Sequence, residues 1–247
     1  AGDVAAGRPA GLLNTADTAA GAMSRTVNAG AEVFSQKSNS PALIAQTIGG
    51  GGGFASTTAG AVQLGSGGTG TLNADASSGA INWGNAAGST GTVASELGPI
   101  PTINPGASTS GDFAPAVVLQ TIGGGGGYTT GGTSVSFSAA GHAGTSTRSG
   151  DITVNNSGVI TTSGDNSFGM LLQTIGGGGG VGGSSSGVVS LNNSNANSSS
   201  GDINFTNSGI ISTSGTGSHA VVAQTIAGGG GFVFGGTRKE NSALQLG

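Results

Sequence analysis

The chain has 247 residues, of which 54 are glycine, 34% are apolar, 6% are charged and none is cysteine, with a formal net charge of −4. So little charge separates it from highly charged disordered polymers, and the apolar share is enough to build some core. The absence of cysteine excludes a disulfide framework and thiolate metal sites, while six basic residues and 4% aromatics argue against a nucleic-acid partner.

Helix is disfavoured along most of the chain. Glycine costs ~1 kcal/mol at an interior helix position, and the Ser, Thr and Asn that fill much of the remainder prefer turns and strands. Residues 1–40 are Ala-rich, hold Arg8, Arg25 and Lys37, and contain one stretch of helical character from Thr15 to Phe34. They read as an N-terminal cap or linking segment, or as a degenerate coil of the repetitive region beyond residue 40. No apolar run approaches the ~20 residues that span a bilayer, so no transmembrane segment is expected, and no charged-then-apolar leader is seen at Ala1.

Residues 41–247 are repetitive. Gln46-Thr47-Ile48 is followed by five glycines, Gly49 to Gly53, and the string returns at Gln120-Thr121-Ile122, Gln173-Thr174-Ile175 and Gln224-Thr225-Ile226, the last with Ala227 before Gly228 to Gly231. The glutamines are 74, 53 and 51 residues apart. A recurrence of this kind signals stacked repeats rather than one globular core. The longer first interval contains Pro99, Pro101 and Pro105 and reads as an insertion near 97–110. The last two units align over 16 positions, Ser149 to Gly164 against Ser200 to Gly215.

Strand-like centres fall near Val154, Leu172, Val189 and Phe205, with gaps of 18, 17 and 16 residues. These gaps divide a 51-residue unit into three coils of about 17 residues. The expected fold is all-β, a parallel β-helix (β-solenoid), with glycine-run ribbons or corners recurring about every three coils. Asn-Ser-Gly and Ser-Gly supply the corners. At ~4.8 Å per coil, ten to thirteen coils would make a rod of roughly 50–60 Å. The glycine runs would form tight corners or ribbons on one face, or polyproline-II-like segments packed against neighbouring backbone. Tyr128, Phe54, Phe232 and Phe234 follow the runs and are expected to cover them by packing.

Candidate chemistry is sparse. On the three-coil reading Asp151 and Asp202 would stand ~14 Å apart, beyond the ~5–9.5 Å that paired glycosidase carboxylates need. Their expected role is to close a Gly-Asp turn. Asp112 and Asp165 also follow glycine, which leaves calcium between coils as the one cofactor to consider, although aspartate-dense nonapeptides are missing. His142 and His219 have no Asp, Glu or Cys at metal-ligand spacing. No Gly-x-Ser-x-Gly elbow or phosphate loop is found. No catalytic, cofactor-binding or metal residue is therefore assigned, and an enzyme is not expected.

The string Ser149-Gly150-Asp151-Ile152-Thr153-Val154-Asn155-Asn156-Ser157-Gly158, with its following Gln-Thr-Ile and glycine run, resembles the glycine-rich passenger repeats of bacterial type V autotransporters over about residues 40–236. The resemblance implies a right-handed parallel β-helix secreted across the Gram-negative outer membrane and held on, or shed from, the cell surface. An adhesive or structural rod is the function it implies, with host-cell, surface or self contacts as partners. Two alternatives are a self-assembling extracellular filament growing end to end or laterally, and a phage-type receptor-binding fibre tip in which the glycine runs form a polyglycine sandwich.

Overall fold

In a computed structural model of the chain, the described residues are 10–15, 23–27, 35, 38–48, 53–55, 61–65, 76–77, 81–85, 107–109, 111–124, 126–129, 131–132, 134–139, 146–182, 184–185, 189–193, 197–233 and 244–246. They form β-strands in parallel sheets, with no helix among them.

Each sheet takes one strand from each of several successive units. The central sheet stacks Ala10–Thr15, Leu43–Ile48, Val117–Ile122, Met170–Ile175 and Val221–Ile226 in chain order. Its register sets Gln46 beside Gln120, Gln120 beside Gln173 and Gln173 beside Gln224, with the Thr and Ile of each motif aligned likewise. A second sheet stacks Gly53–Ala55, Gly127–Thr129, Gly180–Gly182 and Gly231–Val233. A third holds Ala61–Gly65, Ser134–Ala139, Val189–Asn193 and Leu244–Leu246, and a fourth Met23–Val27, Ile81–Asn85, Ile152–Asn156 and Ile203–Asn207. Ala107–Thr109, Val159–Thr162 and Ile210–Thr213 make a fifth. Two small sheets join Gly131–Gly132 to Ser184–Ser185, and Ala76–Ser77 to Thr147–Arg148 and Ser198–Ser199.

This register overturns the subdivision into three 17-residue coils. Val154 pairs with Trp83 and Phe205, Leu172 with Leu119 and Ala223, and Val189 with Val135 and Leu244. Neighbours in a sheet are thus one whole unit apart. A unit advances each sheet by one strand spacing, ~4.8 Å, so the five strands of the central sheet span only about 19 Å instead of the expected 50–60 Å.

The helical stretch read over 15–34 is a strand where it is described. Thr15 ends one strand and Met23–Val27 forms another, and these two strands occupy the end positions of the central and fourth sheets. Pairing with the repeats supplies backbone partners that override a weak helix propensity. Ala107–Thr109, read as part of the insertion, pairs in register with Ile160–Thr162. Since Asn85 pairs with Asn156, 22 residues separate Asn85 from Ala107 where four separate Asn156 from Ile160, which places most of the extra length within 86–106, outside the described residues.

The central strand is buried on both sides: every residue of Val117–Ile122 and Met170–Ile175 is buried. Successive side chains of a strand point to opposite faces, so one strand can serve two cores. On one face Val117, Leu119, Met170 and Leu172 pack with Ile152, Val154 and Ile160. On the other, Val118 and Leu171 pack with Tyr128, Phe168 and Val181, and Ile48, Ile122, Ile175 and Ile226 form a column of their own. Full burial of each such side chain contributes about 1.5–3 kcal/mol. A six-residue strand buried throughout is uniformly apolar or neutral, which is why Gln and Thr, uncharged and able to bond their own kind, follow the apolar patch.

Turns repeat in columns as well. Asn39, Phe113, Asn166 and Gly217 have φ of 61, 53, 52 and 68° and lie one above another, with Asn39 N–H donating to Asp112 O, Phe113 N–H to Asp165 O and Asn166 N–H to Thr216 O, each at 2.8 Å. Asn and Gly suit this left-handed conformation and Phe does not. Phe113 is held there by packing against the aromatic side of the core and by the Tyr128 hydroxyl, which donates to its carbonyl at 3.1 Å.

Candidate functional site

The side chains with the most specific geometry are columns of like residues running across the strands. Gln46 Nε2 donates to Gln120 Oε1 at 2.5 Å, Gln120 Nε2 to Gln173 Oε1 at 2.7 Å, and Gln173 Nε2 to Gln224 Oε1 at 2.8 Å. Gln46, Gln120 and Gln173 are buried. A primary amide carries both donor and acceptor, so a stack of them can satisfy itself where no water reaches. The threonine of the motif works on the opposite face: Thr121 Oγ1 donates to Gly150 O at 2.6 Å and Thr174 Oγ1 to Gly201 O at 2.7 Å. That bond ties Gln-Thr-Ile to the Ser-Gly-Asp corner and explains why the two motifs recur together.

Where they are described, the glycine runs stack on one another as backbone, while 49–52 and 125 lie outside the described residues. Gly53 N–H donates to Gly126 O at 3.0 Å, Gly124 N–H to Gly176 O at 2.8 Å, Gly127 N–H to Gly179 O at 3.0 Å and Gly180 N–H to Gly230 O at 3.1 Å. Gly127, Gly180 and Gly231 adopt φ of 139, 137 and 142°, and a Cβ on any of them would overlap the carbonyl oxygen of the glycine stacked beneath it. These are conventional N–H···O=C bonds between neighbouring runs, with φ far from the polyproline-II range. A Cβ on Gly53 would lie 3.4 Å from Ile48 Cδ1 and 3.8 Å from Gln46 Oε1, so the run lies against the Gln and Ile of its own motif.

Next to the run stands an aromatic column. Phe54 stacks on Tyr128 with centroids 5.3 Å apart, and Val181 and Phe232 continue the same register. Phe168 meets Phe232 edge-on at 5.6 Å and His219 at 5.7 Å. Tyr128 is fully buried and Phe54 and Phe232 are partly so, and all three pack on the core beside the glycines. Phe234 and His142 lie outside the described residues, and Trp83 occupies the register position of Val154.

Burial pushes the Tyr128 hydroxyl far above the ordinary tyrosine range. An acid whose folded pKa is raised retains its stabilising contribution below its unfolded pKa, and loses it as pH climbs through the window above that value. Stability is therefore expected to fall above about pH 10, the ordinary tyrosine value, in a way that Tyr128→Phe abolishes. Since Tyr128 is the only tyrosine, tyrosinate absorbance should rise only together with the loss of β-sheet circular dichroism. Ionisation in advance of unfolding would contradict the buried placement.

The aspartates are corrected in spacing and in role. Asp202 N–H donates to Asp151 Oδ1 at 2.9 Å, Asp165 N–H to Asp112 Oδ1 at 2.9 Å, and Thr216 N–H to Asp165 Oδ1 at 2.7 Å. Each pair sits on adjacent strand levels, ~5 Å apart rather than ~14 Å, because one unit is one level. The separation expected from three coils therefore gives no ground for setting aside a carboxylate pair. The carboxylate accepts the amide of the next level instead of closing its own turn, and all four aspartates are exposed. Among the described residues, no three His, Asp or Glu side chains gather at metal-binding distance. A buried asparagine, Asn156, donates from Nδ2 to Asn207 Oδ1 at 2.6 Å, a second amide stack.

The arrangement makes an uncharged, self-bonded interior: the described charged side chains, Asp112, Arg148, Asp151, Asp165 and Asp202, are all exposed. The Gln and Asn stacks escaped the sequence reading although their signal was present, in that each recurs at a fixed phase of its repeat, Gln after an apolar patch and Asn at the end of an alternating strand. Comparison with family models, with curated proteins and with solved structures gave no match. No helix among the described residues is long and apolar enough to cross a membrane.

Proposed function

We propose that the chain winds a parallel β-solenoid with one coil per 51- to 53-residue unit, and that it serves as a non-enzymatic adhesive or structural rod on the outside of a Gram-negative cell, as an autotransporter passenger segment does. The observation that carries this reading is the glutamine-on-glutamine register of the central sheet, repeated through three successive junctions. Like-on-like pairing makes every junction equivalent, so stability grows with length and function belongs to the repeated outer surface. The extracellular location rests on the resemblance of the Ser-Gly-Asp and Gln-Thr-Ile-glycine strings to passenger repeats.

Two measurements test it. Deleting residues 121–173, one whole unit, joins Gln120 to Thr174 in phase and should leave a chain with the same β-sheet spectrum and a cooperative melt. A chain of any architecture without interchangeable units would lose its fold. Displayed on a non-adherent bacterium, the full chain is expected to raise attachment to host cells or abiotic surfaces several-fold. Unchanged attachment, combined with turnover of a polysaccharide or ester substrate, would replace the rod by an enzyme.

A further inference from the structure

We draw no further inference here: the strongest candidate, the strand edge formed by Ile203–Asn207 and Ile210–Thr213, where Phe205 and Ile210 stand exposed at the last described level of their sheets, is an unpartnered apolar face and nothing in the structure shows what covers it.

Discussion

Replacing Gln120 alone with leucine is expected to destabilise the chain more than replacing Gln46, Gln120 and Gln173 together. Leucine fills nearly the same space, so the single variant leaves the packing intact and removes only hydrogen-bonding groups. What it strands is the Nε2 donor of Gln46 and the Oε1 acceptor of Gln173, both buried and both bonded to Gln120 in the native chain. A buried donor or acceptor left unsatisfied costs about 1–3 kcal/mol, so the two together are expected to cost about 2–6 kcal/mol. The triple variant strands only Gln224 Oε1, which is half-buried and within reach of water. Replacing both sides of a buried hydrogen bond by apolar groups of similar shape is close to neutral, so the triple change should cost less than the single one. Urea denaturation at constant m-value measures both. Additive losses across the three positions would mean that the amides are not bonded to one another.

Parallel strands, the pairing of Gln-Thr-Ile with glycine, and the absence of a cysteine framework were all legible in the residues. The number of strands that a unit adds to each sheet was not. Apolar patches near Val154, Leu172 and Val189 recur every 17 or 18 residues because each marks a strand of a different sheet within a single unit, and a hydrophobic period cannot distinguish strands of different sheets from successive strands of one sheet. Identity does distinguish them. Gln stacks on Gln and Asn156 on Asn207, and the 51-residue match of Ser149–Gly164 to Ser200–Gly215 already held that information. The aspartate spacing failed for the same reason, since it counted three strand levels per unit where the register has one. The helical reading of Thr15–Phe34 failed differently where the stretch is described: alanine favours helix locally, but Met23–Val27 pairs along its length with Ile81–Asn85, and tertiary pairing outweighs propensity.

Gly127→Val and Gly230→Ala separate the two reasons a glycine run can be obligatory. Both positions have positive φ, 123 to 139° across Gly126, Gly127 and Gly230, so either substitution strains the backbone by about 1–3 kcal/mol. At Gly230 nothing lies within 4 Å of an added Cβ, and the strain should be the whole effect. At Gly127 the Cβ would overlap the Gly53 carbonyl, while Gly127 N–H donates to Gly179 and its own carbonyl lies against the Cβ position of Gly180. Backbone on both sides blocks relief by a rotamer change, and separating the strands would break ladder bonds. Gly127→Val is therefore expected to cost more than about 4 kcal/mol, in the exceptional range for one substitution, and to shift the denaturation midpoint several times further than Gly230→Ala does. Limited proteolysis gives a second readout: the native runs should resist cleavage as stacked backbone, and Gly127→Val should open Gly123–Gly127 first. Equal, small losses at both positions would mean that the runs do not stack and serve as flexible spacers, which would remove the reason for glycine to accompany every Gln-Thr-Ile.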